Sequence, residues 1–178
     1  MKYLACLVLI VALYAPNNAH AETVLRVGDN IEVAADQVVD GDYYVSVGPL
    51  GNTTMSGKIN GDMYAFGGSV DANGTIGNDL TILAGTAQIN ASTTDDVRIA
   101  AGEVTIAEHV GGDLFVLAGS LKVLSTASVD GNIIFFGGNA EINGKVGGSI
   151  LGSAEKVRVD AAVGKNIDLK TTSSLTLG

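Results

Sequence analysis

Between Asp42 and Asn166 the chain returns eight times to one short phrase: a polar residue, apolar residues at alternate positions, and usually a glycine. Aligned on the polar residue, the anchors are Asp42, Asp62, Asp79, Asp96, Asp113, Asn132, Ser149 and Asn166, spaced by 20, 17, 17, 17, 19, 17 and 17 residues. A fixed period shorter than any independent domain means that no unit buries a core by itself, so each must stack on its neighbours. The spacing predicts an all-β, single-domain parallel β-helix with triangular coils of about 17 residues.

Alternation defines the sides of each coil. The residues one and three places after the anchor share an inward face by the two-residue period of a strand, as in Leu80/Ile82, Val97/Ile99 and Leu114/Val116. A second strand contributes inward pairs such as Val70/Ala72, Ala87/Ile89, Val104/Ile106 and Leu121/Val123. A shorter third side turns Ile76, Val110, Val129, Val146 and Val163 inward. Glycines at Gly48, Gly68, Gly85, Gly102, Gly119 and Gly138 mark the first corner, with Glu155 in their place in a later coil. A glycine there is expected to serve positive φ or close backbone approach. At about 3.3 Å per residue such a coil has a perimeter of roughly 56 Å, narrow enough for side chains alone to fill. The longer intervals place surface loops around residues 49–54 and 126–128. Residues 22–40 alternate off register and read as an irregular first coil, a partial cap, and residues 41–178 carry the repeats. Inward residues continue through Leu175 and Leu177, so the chain is either a fragment or has an end that stacks on another copy.

Residues 1–21 have a different character. Lys2 precedes an apolar run over residues 3–15, followed by the small-x-small triplet Ala19-His20-Ala21. This is the pattern of a secretory signal cleaved between Ala21 and Glu22, the alternative being a retained signal anchor. The chain is accordingly expected to be exported to the periplasm, cell envelope or exterior. Cleavage would remove the single cysteine, Cys6, so stacked ladders rather than disulfides would supply stability. The remainder holds 9 Lys+Arg against 19 Asp+Glu, a net charge of -10. With no basic patch and few aromatic residues, nucleic acid is excluded as a partner.

Candidates for chemistry are few. The five anchor aspartates form a column whose neighbouring charges, about 4.8 Å apart, would repel by roughly 0.9 kcal/mol per pair in water. Cations such as calcium would relieve this, whereas aspartates at turns ordinarily accept local backbone N–H bonds. His109 reads as a surface histidine, and Asn52, Asn73 and Asn90 open N-x-[ST] triplets. No catalytic residue, cofactor site or metal site is assigned. The outward positions of the first side are more informative: Tyr64, Phe66, Leu83, Phe115, Leu117, Ile134, Phe136 and Leu151 form an apolar stripe, while the second side is polar. Such a stripe is expected to be an interaction surface, unless residues 22–40 or a further C-terminal segment cover it.

Units such as Gly61-Asp62-Met63-Tyr64-Ala65-Phe66-Gly67-Gly68, residues 112–119 and residues 131–138 resemble the bactofilins, the polymer-forming cytoskeletal proteins of bacteria. The likeness spans about residues 40–170. It implies a right-handed β-helix that assembles end to end into non-polar filaments without nucleotide, often beside a membrane. Bactofilins are typically cytoplasmic, so the leader suggests an exported relative. The expected function is a non-catalytic structural protein of the cell envelope. Its expected partners are itself, head to tail and laterally, and a membrane surface or cell-wall polymer. A secreted adhesin or carbohydrate-binding solenoid is the alternative. A β-helical lyase or a hexapeptide acyltransferase would show longer coils with basic catalytic groups, or a six-residue rhythm with a catalytic histidine.

Overall fold

The computed structural model describes residues 22–178. The expected leader, with its expected cleavage between Ala21 and Glu22, falls outside the described residues, of which Glu22 is the first. Every regular element among them is a β-strand. In chain order they are β1 (Val24–Val33), β2 (Val38–Val39), β3 (Tyr43–Met55), β4 (Lys58–Ile59), β5 (Met63–Ala72) and β6 (Thr75–Ile76). Next come β7 (Leu80–Ile89), β8 (Ser92–Thr93), β9 (Val97–Ile106), β10 (His109–Val110) and β11 (Leu114–Val123). The last are β12 (Ser128–Val129), β13 (Ile133–Ile142), β14 (Lys145–Val146), β15 (Ile150–Val159) and β16 (Ile167–Leu177).

The long strands form one nine-stranded parallel sheet and the two-residue strands a seven-stranded one, each ordered along the chain. The molecule is therefore a parallel β-solenoid of about nine coils with roughly 17-residue spacing. The first and second sides, expected as separate strands, are the two halves of one bent strand. In β7 and β9 the ladder runs Leu83↔Ala100 and Ala84↔Ala101, omits Gly85 and Gly102, and resumes at Thr86↔Glu103. The omitted residue is the corner. A Cβ on Gly102 would lie 2.9 Å from the Gly85 carbonyl oxygen of the coil below, and one on Gly119 2.9 Å from that of Gly102. Close approach, not positive φ, is what the corner column requires from Gly68 onward, whereas Gly48, expected at this corner, lies in the protrusion with open space around it; the positive-φ glycines are Gly67 and Gly152, neither at the corner position.

Inward residues stack into continuous columns. Tyr43, Met63, Leu80, Val97, Leu114, Ile133 and Ile150 are paired in register and completely buried. Because the strands are parallel and covered on their inner face by the other sides, these columns are almost uninterruptedly apolar. Three exceptions are polar. Thr93 continues the third-side column between Ile76 and Val110, Thr53 lies in the second-side column between Ile31 and Val70, and both hydroxyls are buried without a partner, as is that of Tyr43. Arg26 occupies an inward register position opposite Val45 in the first coil and is exposed there.

Both longer intervals are absorbed outside the ladder. In β3 the register with β1 runs through Val47, which pairs with Gly28 and packs in the core, and resumes at Asn52, so the protrusion is confined to residues 48–51, tipped by fully exposed Leu50. Residues 52–54, expected in the loop, have rejoined the sheet, with Thr53 in the core. The second insertion is a turn at residues 125–126, closed by the Ala127 N–H donating to the Leu124 carbonyl at 3.0 Å. Ser128, expected in that loop, belongs to the third-side ladder. At the N-terminal side, β1 pairs with β3 and β2 with β4, so residues 24–39 stack on the end of the rod rather than over its side.

An unpaired buried hydroxyl costs about 1–3 kcal/mol of desolvation. Thr93→Val, which keeps the shape and removes the hydroxyl, should raise stability by about 1 kcal/mol, read as a higher midpoint in chemical denaturation. Burial raises the Tyr43 hydroxyl above the ordinary tyrosine value of 10.0, and the Arg26 charge offsets this in part. A raised folded-state value means that the stability it carries is intact below the ordinary value and is lost as pH climbs past it, because the unfolded chain ionises first. Tyr43→Phe should therefore flatten the alkaline limb of the stability profile above about pH 10.

Candidate functional site

The corner beside the first side is built by the anchors. The N–H of Asp62 donates to Asp42 Oδ1 at 3.0 Å, that of Asp79 to Asp62 Oδ1 at 3.2 Å, and that of Asp96 to Asp79 Oδ1 at 3.0 Å. The ladder continues with Asp113 on Asp96 Oδ1 and Asn132 on Asp113 Oδ1, both at 2.7 Å. It ends with Ser149 on Asn132 Oδ1 at 2.9 Å and Asn166 on Ser149 Oγ at 3.3 Å. Every anchor before Asn166 thus accepts the main-chain N–H of the anchor one coil on, not of a local turn. What the position demands is an acceptor oxygen at the end of a short side chain. Asparagine and serine meet that demand, which explains their appearance in the later coils.

With Oδ1 engaged, the outer oxygens remain. Arg98 reaches across two coils, its Nη1 donating to Asp79 Oδ2 at 2.7 Å and its Nη2 to Asp96 Oδ2 at 2.6 Å. The Asp79 hydrogen bond outweighs partial desolvation and shifts the guanidinium further toward its protonated form. The Tyr64 hydroxyl donates to Asp62 Oδ2 at 3.2 Å, and it too is raised above the ordinary tyrosine value, first by burial and then by the Asp62 carboxylate. The expected repulsion along the column is therefore relieved at its centre by a side chain of the protein itself. No group of three or more metal-ligating side chains is found among the described residues.

The predicted stripe lies immediately beside this ladder. In register, the first outward row runs Leu25, Tyr44, Tyr64, Thr81, Arg98, Phe115, Ile134, Leu151 and, in the last coil, Asp168. The second runs Val27, Ser46, Phe66, Leu83, Ala100, Leu117, Phe136, Ser153 and, in the last coil, Lys170. Phe66, Leu83, Leu117 and Phe136 are exposed, and Tyr64, Phe115, Ile134 and Leu151 are half-buried against row neighbours. Tyr44 and Tyr64 stack at 4.7 Å between ring centroids, and Phe115 and Phe136 meet tilted at 6.3 Å. The sequence reading missed that the stripe begins at Leu25 and Val27, 70% and 76% exposed in the first coil. It also missed that Arg98 and Ala100 divide it in the middle.

The opposite outward surface is wet. Asn90 Nδ2 donates to Asn73 Oδ1 at 2.9 Å and Thr86 to Ser69 at 3.0 Å, so two of the N-x-[ST] asparagines form a surface ladder, while Asn52 bonds Thr54 at 3.2 Å. His109 is not isolated. Its Nδ1 lies 2.9 Å from Ser128 Oγ and its Nε2 3.6 Å from Asp130 Oδ2. The residue types are those of a hydrolytic triad, but 3.6 Å is beyond a hydrogen bond and Asp130 is 65% exposed, so water competes for the carboxylate. This neighbourhood of three side chains from adjacent coils fits a surface cluster better than an activated nucleophile.

No family model matches the chain, and comparisons with curated proteins and with solved structures likewise return no match.

The ladder makes a specific demand on Asp96. Asp96→Ala leaves the Asp113 N–H without its acceptor and should cost about 1–2 kcal/mol, whereas Asp96→Asn, which keeps an oxygen there, should cost less than half as much. Equal losses on chemical denaturation would contradict the acceptor role.

Proposed function

We propose that this protein is a non-catalytic structural component of the cell envelope that associates with copies of itself through its apolar side and the ends of the coil stack. The observation carrying the reading is the apolar face: two outward rows that hold one charged residue, Arg98, over their first eight coils, with Asp168 and Lys170 in the ninth, on a molecule whose net charge is -9. Monomeric soluble proteins rarely present apolar surface on that scale without a partner. The terminal coils add to it. Among the described residues β1 and β16 each pair on one edge only, and Leu175 and Leu177 are exposed at inward positions of β16. Unpaired parallel edges of this kind template further strands.

The resemblance to bactofilins points the same way, toward an exported relative whose activity is mechanical, with a membrane surface or cell-wall polymer as a further partner. The leader-like pattern of residues 1–21 supports export. A secreted adhesin is the second reading, favoured by the protruding residues 48–51 with Leu50 at the tip.

Concentration-dependent sedimentation of the purified chain, combined with negative-stain microscopy, tests the proposal. Rods longer than the roughly 40 Å expected of one stack are the predicted result. A monodisperse particle at high concentration that binds a glycan array would favour the adhesin instead.

A further inference from the structure

We infer that the apolar face takes a second copy of this chain, side by side and in the same direction, as a two-fold pair with matching coils in contact. The inference deepens the self-association proposed above and rests on it. The face carries its own selection rule in the charges along its borders. One border is the anchor ladder, acidic from Asp42 to Asp113, and the other is the glycine corner, which carries Asp29 in the first coil and Glu155 in the eighth with no charge in the corner column between them. Within the face, Arg98 is already held by Asp79 and Asp96, and the other two charges, Asp168 and Lys170, lie in the last coil.

An anionic lipid surface fits this border poorly, since membrane-binding faces add basic residues beside their apolar patch and here the neighbours are carboxylates. A second copy fits, and the border fixes its orientation. A two-fold axis along the rod sets the acidic border of one copy against the glycine border of the other. A two-fold across the rod would set the two acidic borders together, the costlier arrangement. The parallel pairing also opposes the first outward row with the second at each height. Arg98, the largest side chain at mid-face, then meets small Ala100, while Phe115 meets Leu117 and Ile134 meets Phe136. Eight coils at about 4.8 Å and a side some 16 Å wide offer roughly 600 Å² per copy, near the lower limit for a stable interface, so a modest affinity is expected.

The test uses the full chain with Cys6→Ser as background. Sedimentation equilibrium should show a dimer, with Leu117→Asp raising its dissociation constant at least tenfold and Thr105→Asp, on the polar side, leaving it within twofold. Circular dichroism verifies that both variants fold. Spin labels at Ser46→Cys, and separately at Ser153→Cys, should each give a distance between copies below about 20 Å. A pair centred on the face in the opposite direction places the Ser46 labels about 24 Å or more apart along the rod and overturns the orientation. A monomer that instead co-sediments with anionic vesicles overturns the choice of partner. Rods that lengthen end to end but are indifferent to Leu117→Asp defeat this inference and leave the proposed function standing. A chain that stays monomeric and binds no vesicle defeats both.

Discussion

The structure depends on main-chain amides being handed from coil to coil in register, and the corner anchors enforce that register where the sheets alone would be weakest. A parallel ladder of two-residue strands fixes little by itself. The anchor side chain closes the gap between the short third side and the long first side by accepting the N–H of the next anchor, seven times in succession. Slippage by one residue would break this bond and turn every inward side chain outward. The corner thus couples a polar interaction at the surface to the packing of the interior.

From that coupling the asymmetry of the surface follows. Once the anchors are fixed, the two outward positions after each of them must share one plane, so whatever those positions carry is displayed as two straight rows. Apolar residues there make a face; on the second side, polar residues such as Asn73, Gln88 and Glu141 make a solvated one. On that second side, hydrogen bonding from Asn143 and the charge of Lys122 hold the Glu141 carboxyl below the usual range, an ordinary surface arrangement. The first side has no such network apart from Arg98 and Tyr64, and both of these turn toward the anchor column.

Much of this was legible in the sequence because it depends on period alone. Seventeen-residue spacing gave the coils, alternation gave the inward columns, and the outward rows came from the same count. The parts that escaped are those set by reach or by exception. Nothing in the spacing says that Arg98 extends back to Asp79 as well as to Asp96 in its own coil. Thr53 and Thr93 escaped because a polar residue in a core column is visible only against the complete column. The nearness of His109 to Ser128 and Asp130 was hidden by the 19-residue coil, which shifts the vertical neighbour by two positions. The acceptor role of the aspartates was anticipated, but its partner was placed within the turn instead of one coil away.

The four residues that swell out at 48–51 leave the ladder after Val47 and re-enter it at Asn52 with the columns beyond undisturbed. The scaffold therefore measures height in coils and is indifferent to contour length at its corners. Foreign segments grafted at that site, or at residues 125–126, would be presented at fixed elevations on a stiff post. Lineages carrying such a scaffold could change what it displays without renegotiating its interior.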